Sequence, residues 1–188
     1  MFTTHLRPAI AMTVAFTLLT GLAYPIAITG VAQTVFPVAA RGSLVLRDGQ
    51  PVGSDLIGQV FVTAAYLHPR PSASGYNAAA TGASNLGPTS APLIAAVAER
   101  QAAYTAENGS PGPIDAVTTS ASGLDPHISP QNAATQAARI AAARHVDVAQ
   151  IQAVIDQVTE GRFLAIYGEP RVNVLRANMA LDAAFPTP

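Results

Sequence analysis

The chain has 188 residues, of which 11% are charged, and a formal net charge of −1 at pH 7. This balance provides no basic surface, so we exclude nucleic acid as a partner. Every Lys-or-Arg position is an arginine, and the chain contains neither lysine nor cysteine. These absences exclude a phosphate-loop lysine, a Schiff base, a thiol nucleophile and a thiolate metal site.

The N-terminal part of the chain has the properties of a membrane anchor. Residues 8–40 contain no Asp, Glu, Lys, Arg or His, and about 20 helical residues cross the ~30 Å hydrocarbon core of a bilayer. We therefore predict a short tail at residues 1–9 and a transmembrane helix at residues 10–31, kinked at Pro25. The alternative is a signal peptide whose cleavage releases a free-standing binding module, but the apolar run exceeds the roughly 7 to 15 residues of a signal core.

Small residues recur at every fourth position along the first half of this helix. Ala9, Thr13, Thr17 and Gly21 place small side chains on one stripe, a pattern that lets a second transmembrane helix approach closely. We predict that the stripe is a helix-packing surface. The alternative is that an alanine-rich chain produces such spacing by accident.

The remaining residues, 41–188, are predicted to form a single soluble domain that begins with strands. Asp48-Gly49 lies between alternating apolar residues, which predicts a hairpin within residues 43–53. The β-branched and aromatic residues of 59–67 predict a further strand. Residues 76–89 are rich in Gly, Asn, Ser and Pro and predict a long ordered loop.

Helices dominate the second half of the domain. Capping residues and apolar periodicity predict helices after Ser90 to Asn108, from Pro130 to about Arg144, and from Asp147, in a capping box with Gln150, to Gly161. A short strand near residues 163–166 and a last helix at residues 174–184 follow. The mixture, with strands early and helices late, predicts an α+β fold behind one transmembrane helix.

Residues that restrict the backbone concentrate in one segment of the soluble domain, residues 118–130. Gly123 can adopt positive φ and Pro126 restricts its neighbours, so the segment specifies backbone shape. From this segment we single out Ser122, Gly123, Asp125 and Pro126 as structural.

Three segments of the soluble domain are Arg70-Pro71-Ser72 through Ser84-Asn85-Leu86-Gly87, then Thr118 to Pro130, then Gly168 to Asp182, and we call them the first, second and third motif segments. In their order and spacing, these segments resemble the motifs of the KdpC family. The resemblance implies structural roles for further residues in or beside them: Arg70, Ser84, Asn85, Arg139, Asn173 and Asn178. Arg70, Arg139 and Arg171 either clamp a carboxylate or phosphate or tie the domain's own loops together. KdpC proteins are accessory subunits of the Kdp potassium-transporting P-type ATPase of bacteria and archaea.

The resemblance implies a single-pass protein of the cell (inner) membrane that is non-catalytic by itself. It implies a potassium-channel-like subunit and an ATP-hydrolysing subunit as partners, with a role in assembly and coupled potassium import. Arg7 precedes the apolar run while Arg41 and Arg47 follow it, so charge does not decide the orientation. The resemblance implies a soluble domain on the outer (periplasmic) face.

The family is also proposed to act as a catalytic chaperone that raises the affinity of the ATP-hydrolysing subunit for ATP. The resemblance makes Gln136 the candidate nucleotide-binding residue, with ATP shared between subunits and no cofactor of the chain's own. Two observations weigh against direct contact: the sequence has no glycine-rich phosphate cradle, and a domain outside the cell does not meet cytoplasmic ATP. Gln136 is equally interpretable as an exposed polar residue of its helix.

A hydrolytic site is the alternative from another functional class. Ser122, Asp125 and His127 supply the residue types of a catalytic triad, and they would make the chain a membrane-tethered periplasmic hydrolase. The short spacing and the lack of a Gly-x-Ser-x-Gly elbow favour a structural turn instead. The histidines, His5, His68, His127 and His145, show no paired ligand spacing, so we predict no metal site.

Overall fold

The computed structural model describes residues 2–186. Residue 1 of the predicted tail and residues 187–188 of the predicted soluble domain lie outside the described residues. The chain divides into two compact units, one up to Leu44 and one from Val45 onward. Each unit is described by itself.

The N-terminal unit is almost entirely helical. It comprises α1 (Phe2–Leu18), a π-helical turn (Leu19–Ala23), α2 (Tyr24–Val35) and the short α3 (Pro37–Ala40). The stretch Thr4–Val35 is long and apolar enough to cross a membrane, and the predicted limits 10–31 fall inside it. None of the described side chains of this stretch is buried within the unit, so its apolar surface must be covered by something other than the unit itself.

The π-helical turn explains how the helix accommodates Pro25. A proline has no backbone N–H, and its ring crowds the carbonyl four residues earlier, here that of Gly21. The widened turn Leu19–Ala23 lies directly before this position, and such π-bulges are a recognised site of helix distortion. The structure therefore shows a change of helix type in the turn before Pro25, while the kink itself stays a prediction.

The soluble unit begins with the predicted hairpin, which is confirmed as β1 (Leu44–Arg47) paired with β2 (Gln50–Ser54). Asp48 and Gly49 between them have φ of 52° and 78°, the positive values that a two-residue hairpin turn requires. The predicted strand at residues 59–67 is wrong, because this stretch forms neither helix nor strand. Residues 76–89 lack regular structure, as predicted.

The long helices follow their capping signals closely. They are α4 (Ala91–Asn108), α6 (Pro130–Arg144), α7 (Val148–Val158) and α8 (Val174–Ala184), together with an unpredicted short helix, α5 (Ile114–Val117). Ser129 Oγ accepts from the Asn132 N–H at 3.0 Å, and the capping box of Asp147 with Gln150 is present. Helix α7 ends before the predicted Gly161, because Thr159 enters a strand.

A small antiparallel sheet lies within the helical half of the domain. Its strands are β3 (His127–Ile128), β4 (Thr159–Glu160) and β5 (Arg171–Asn173), in the order β3-β5-β4. The register pairs Ile128 and Thr159 with Val172 from opposite sides. The expectation that strands come early and helices late is therefore wrong, and so is the strand predicted at 163–166, which is part of a protruding turn. The α+β class itself is confirmed.

The hydrophobic core lies between α6, α7, α8 and this sheet. Its largest side chains are at most 2% exposed: Leu67, Ile128, Ile140, Ile151, Ile155, Val172 and Leu181. Each such side chain contributes roughly 1.5 to 3 kcal/mol of transfer free energy. Leu67 belongs to the irregular stretch before the motif residue Arg70, so the core anchors the loop that carries the first motif.

Candidate functional site

A cleft of about 370 Å³ collects residues from all three motif segments. Its lining comprises Arg70 from the first segment, residues 125 and 127–129 from the second, residues 169–171 from the third, and Asp115 from α5. The sequence predicted the importance of these segments individually. They meet at one cleft because β3 pairs with β5. No local sequence pattern predicts this pairing.

The central contact of the cleft is an ion pair between Arg70 and Asp125, with Nη1 3.0 Å from Oδ2. Asp125 Oδ1 also accepts from the His127 N–H at 3.0 Å, and the His127 ring nitrogen lies 3.6 Å from the same oxygen. Burial alone would raise the pKa of the Asp125 carboxyl, but the interactions with His127 and Arg70 hold it below its ordinary value. Asp125 is therefore an ionised, fully engaged carboxylate.

Gly123 positions this carboxylate through a close backbone packing that no other residue permits. Its φ is +70°, and a Cβ there would lie 2.7 Å from the Gly82 carbonyl oxygen and 2.4 Å from Ser74 Oγ. Ser72 Oγ donates to the Gly123 carbonyl at 2.6 Å, and the Gly82 N–H donates to the Ser122 carbonyl at 2.9 Å. The first and second motif segments are thus packed together backbone to backbone.

Not every predicted motif residue reaches the cleft. Ser84 and Asn85 are exposed on the long loop, and Asn85 has a φ of 52°, a left-handed conformation that asparagine tolerates. Neither residue lines the cleft. They shape the loop rather than the site.

The third segment is fastened to the second by its own backbone. The Val174 N–H donates to the Pro126 carbonyl at 2.9 Å. Asn173 Oδ1 caps α8 by accepting from the Arg176 N–H at 3.1 Å, while its Nδ2 donates to the Asp55 carbonyl at 2.9 Å. Asn173 therefore joins the helix start, the sheet and the stretch after the hairpin, as a structural motif residue would.

Two buried amide side chains hold the stretch that precedes Arg70. Asn178, which is 2% exposed, accepts from the Leu67 N–H at 2.7 Å and donates to the Leu67 carbonyl at 3.0 Å. Gln136, which is 1% exposed, does the same for His68, at 2.7 and 3.1 Å. The interpretation of Gln136 as an exposed polar residue is wrong.

Two arginines reinforce the same stretch. Arg139 donates from Nη1 to the Ala64 carbonyl at 2.9 Å and from Nη2 to Gln136 Oε1 at 2.7 Å. Arg144, 7% exposed, donates from Nε to the Ala65 carbonyl at 2.8 Å and pairs with Asp182 at 2.9 Å. Arg139 was singled out from the sequence. Arg144 was missed, because its partners Ala65 and Asp182 are distant in sequence and meet it only in the packed domain.

Asp115 is a second residue that sequence reasoning missed. Its carboxylate accepts from the Ser129 N–H at 2.7 Å, from Ser129 Oγ at 3.0 Å and from Asn132 Nδ2 at 3.1 Å. It lies on α5, a four-residue helix too short to give a periodic pattern. The acidic group stabilises the start of α6, where a negative charge is favourable.

The proposed hydrolytic residues do not form a triad. Ser122 Oγ accepts from the Leu124 N–H at 3.1 Å, and Ser122 and His127 line different cavities. Among the hydrogen bonds of residues 2–186, none joins the Ser122 hydroxyl to the His127 ring. The segment has the geometry of a turn, with Asp125 accepting from backbone.

The remaining sequence candidates concern metals and helix packing. Within the part of the chain that the structure describes, no group of His, Asp and Glu residues is arranged to hold a metal ion. The stripe of Ala9, Thr13, Thr17 and Gly21 is exposed along its length. Gly21 lies inside the π-helical turn, and a Cβ added there would meet nothing within 4 Å.

Comparison with known proteins gives matches over nearly the whole chain. A family described as "KdpC: K+-transporting ATPase, c chain" matches residues 6–183. A "Potassium-transporting ATPase KdpC subunit" of Cereibacter sphaeroides is 62% identical over 181 residues, covering 96% of this chain and 98% of the relative. A protein of the same name from Mycobacterium tuberculosis is 52% identical over 184 residues, covering 95% and 97% respectively.

Proposed function

The chain belongs to the KdpC family, and we propose that it is the accessory subunit of an ATP-driven potassium transporter, needed for assembly and coupled import. Its partners are then a potassium-channel-like subunit and the subunit that hydrolyses ATP. The observation that carries the non-catalytic role is the engagement of the polar side chains at and behind the cleft. Arg70 pairs with Asp125, Asp115 binds the start of α6, and Gln136 binds backbone.

These contacts support a scaffold role, because they leave few of the motif side chains available to act on a substrate. A catalytic acid, base or nucleophile needs an accessible group that exchanges partners during the reaction. Here the motif carboxylates and amides connect segments that are distant in sequence, such as Gln136 with His68 and Asn178 with Leu67. Substituting these side chains is expected to disturb the fold of the domain and not a catalytic step.

The catalytic-chaperone function is a second proposal, since the family resemblance names it and Gln136 is its candidate residue. A nucleotide contact by Gln136 requires its amide to give up the His68, Asn132 and Arg139 hydrogen bonds. Breaking buried polar contacts of this kind costs about 1 to 3 kcal/mol for each group left unsatisfied. We therefore rank the scaffold role above direct ATP contact.

We propose further that Thr4–Val35 spans the cell membrane with the soluble domain on the outer face, and that the Ala9 to Gly21 stripe faces partner helices. Cysteine substitution of Ala79, an exposed residue of the long loop, creates a unique thiol, because the chain has no cysteine. A membrane-impermeant maleimide should label it in intact cells. Protection until lysis would place the domain inside.

For the stripe, Gly21→Leu should weaken assembly of the transport complex. Thr20→Leu, at the neighbouring position, is the control.

The cellular test is potassium-limited growth. A host that depends on this transporter should stop growing when the chain is deleted and recover when the full chain is supplied. Potassium-limited growth without the chain, at the same level of the partner subunits, would contradict the accessory role. Tagged partner subunits show in the same cells whether the loss of growth follows a loss of assembly.

A further inference from the structure

A protruding hairpin between β4 and β5 contributes only its last residue, Glu169, to the lining of the cleft. Residues 162–169, which we name the finger, are closed by two hydrogen bonds of 2.9 Å between the backbones of Phe163 and Tyr167. At its base, Arg162 Nη2 lies 2.7 Å from Glu169 Oε2. The finger is therefore a folded element with a defined tip.

Large apolar side chains cover this finger and contact little else in the domain. Phe163, Leu164, Ile166 and Tyr167 are 71%, 69%, 72% and 65% exposed, respectively. Isolated exposed apolar residues are common on soluble domains, but a cluster of four within five positions marks an interaction surface.

The backbone at the tip shows that the apolar side chains are not incidental. Leu164 and Ala165 have φ of 51° and 61°, and the Ile166 N–H donates to the Phe163 carbonyl at 3.1 Å. Positive φ at both residues lies in the left-handed region, which glycine and asparagine adopt most readily. Leucine adopts this conformation at an energetic cost, so the sequence keeps an apolar tip where a polar turn would be more stable.

We propose that the finger inserts into an apolar socket on a partner membrane subunit of the transport complex, an inference that rests on the proposed function. The charges around the finger favour a protein partner over lipid headgroups. Arg162 pairs with Glu169, and Arg171 pairs with Glu160 at 2.9 Å, so the base of the finger carries no net charge. Anionic headgroups attract unpaired basic residues, whereas a neutral rim around an apolar centre suits a protein interface.

Site-specific photocrosslinking tests the socket directly. A benzophenone amino acid replaces Phe163 in the full chain, co-expressed with tagged partner subunits, and Ile94 on α4, 60% exposed, is replaced as the control. We expect a crosslink to a tagged partner subunit from position 163 and not from position 94. Equal crosslinking from both positions, crosslinking only to a second copy of the chain, or no protein product from position 163 in an assembled complex would overturn the inference.

A turn replacement separates docking from stability. Leu164→Asn with Ala165→Gly places residues that tolerate positive φ at both positions, so the chain should unfold at the same or a higher urea concentration. Because it removes a leucine side chain from the interface, we expect about tenfold weaker association with the partner subunits. Association equal to that of wild type would overturn the inference. If the unaltered chain fails to co-purify with the ATPase subunits, the proposed function itself fails, and the inference with it.

Discussion

The side-chain amide of Gln136 binds both backbone hydrogen-bonding groups of His68, accepting from its N–H at 2.7 Å and donating to its carbonyl at 3.1 Å. Asn178 treats the adjacent Leu67 in the same way. In a sheet, a neighbouring strand would satisfy these groups. Here, amides from α6 and α8 replace that strand, and the stretch leading to Arg70 is fixed without belonging to any sheet.

Gln136→Ala should therefore destabilise the domain. The substitution leaves the His68 backbone groups without their buried partner and removes a contact of Arg139, so we expect the free energy of unfolding to fall by about 2 to 3 kcal/mol. Urea unfolding of the full chain in detergent, followed by tyrosine fluorescence, measures this. Gln131→Ala, at an exposed position of the same helix, should change little. Weaker ATP affinity of the complex with unchanged stability would instead support nucleotide contact.

Gly123→Ala tests the packing of the first two motif segments. The added methyl group meets the Gly82 carbonyl and Ser74 in addition to the strain of a φ of +70°, so we expect a loss of at least about 2 kcal/mol. Gly75→Ala is the matched control, because Gly75 also has positive φ, +61°, with nothing within 4 Å of the new methyl. It should cost only about 1 kcal/mol of backbone strain. Equal losses in the two variants would contradict the proposed close packing.

The Arg70–Asp125 pair predicts a pH dependence of stability. The pKa of Asp125 lies below its ordinary value in the folded chain, despite burial, because of His127 and Arg70. Its stabilising contribution is therefore complete above the unfolded pKa of about 4 and is lost as pH falls through the depressed folded value.

Asp125→Asn measures this contribution. The difference in unfolding free energy between wild type and variant should be constant from about pH 6 to pH 5 and shrink below about pH 4. Arg70→Gln should reduce the same pH dependence, because it removes one partner of the carboxylate. A wild-type to variant difference that does not change with pH would show that the ionised form of Asp125 is not what stabilises the cleft.

Ser122→Ala and His127→Ala should leave the transporter's activity unchanged once it is assembled. Ser122 Oγ accepts only a local hydrogen bond from the Leu124 N–H at 3.1 Å, and the loss of an exposed turn contact costs about 1 kcal/mol or less. Potassium-stimulated ATP hydrolysis per assembled complex is the measurement. Loss of this activity in either variant, with normal subunit content, would restore the hydrolytic interpretation.

Local signals account for the elements that the sequence predicted correctly. Asp48-Gly49 fixes the β1–β2 hairpin, and Ser129 and the pair of Asp147 with Gln150 fix two helix starts. Each of these devices acts within a few residues, so it is visible in the sequence.

Long-range pairing accounts for the errors. The 59–67 stretch has strand-like composition, but its backbone groups bind side chains of Arg139, Arg144 and Asn178 instead of a strand. Its apolar residues Val60 and Val62 are 57% and 75% exposed. The apolar residues of this stretch were therefore a poor indicator of a buried strand. Similarly, the apolar run at 163–166 predicts a buried strand, whereas its side chains face outward on the finger.

The cleft was predictable in its residues but not in its assembly. Arg70 and Asp125 line the cleft, and Asn173 fastens the third motif segment beside it. All three were singled out, Asp125 from the glycine and prolines around it, and Arg70 and Asn173 from the resemblance to KdpC motifs. Asp115 and Arg144 were not, because their partners Ser129 and Asp182 lie 14 and 38 residues away. Such pairs become visible only when the helices are packed.

The central claim, that the chain acts by assembly and not by chemistry of its own, is tested most directly by purifying the channel-like subunit through a tag, with and without this chain. The retained ATP-hydrolysing subunit and its potassium-stimulated ATP hydrolysis are then measured. The account predicts that both fall together when the chain is absent and return together when the full chain is restored. Full retention of the ATP-hydrolysing subunit without the chain, with hydrolysis alone lost, would contradict it.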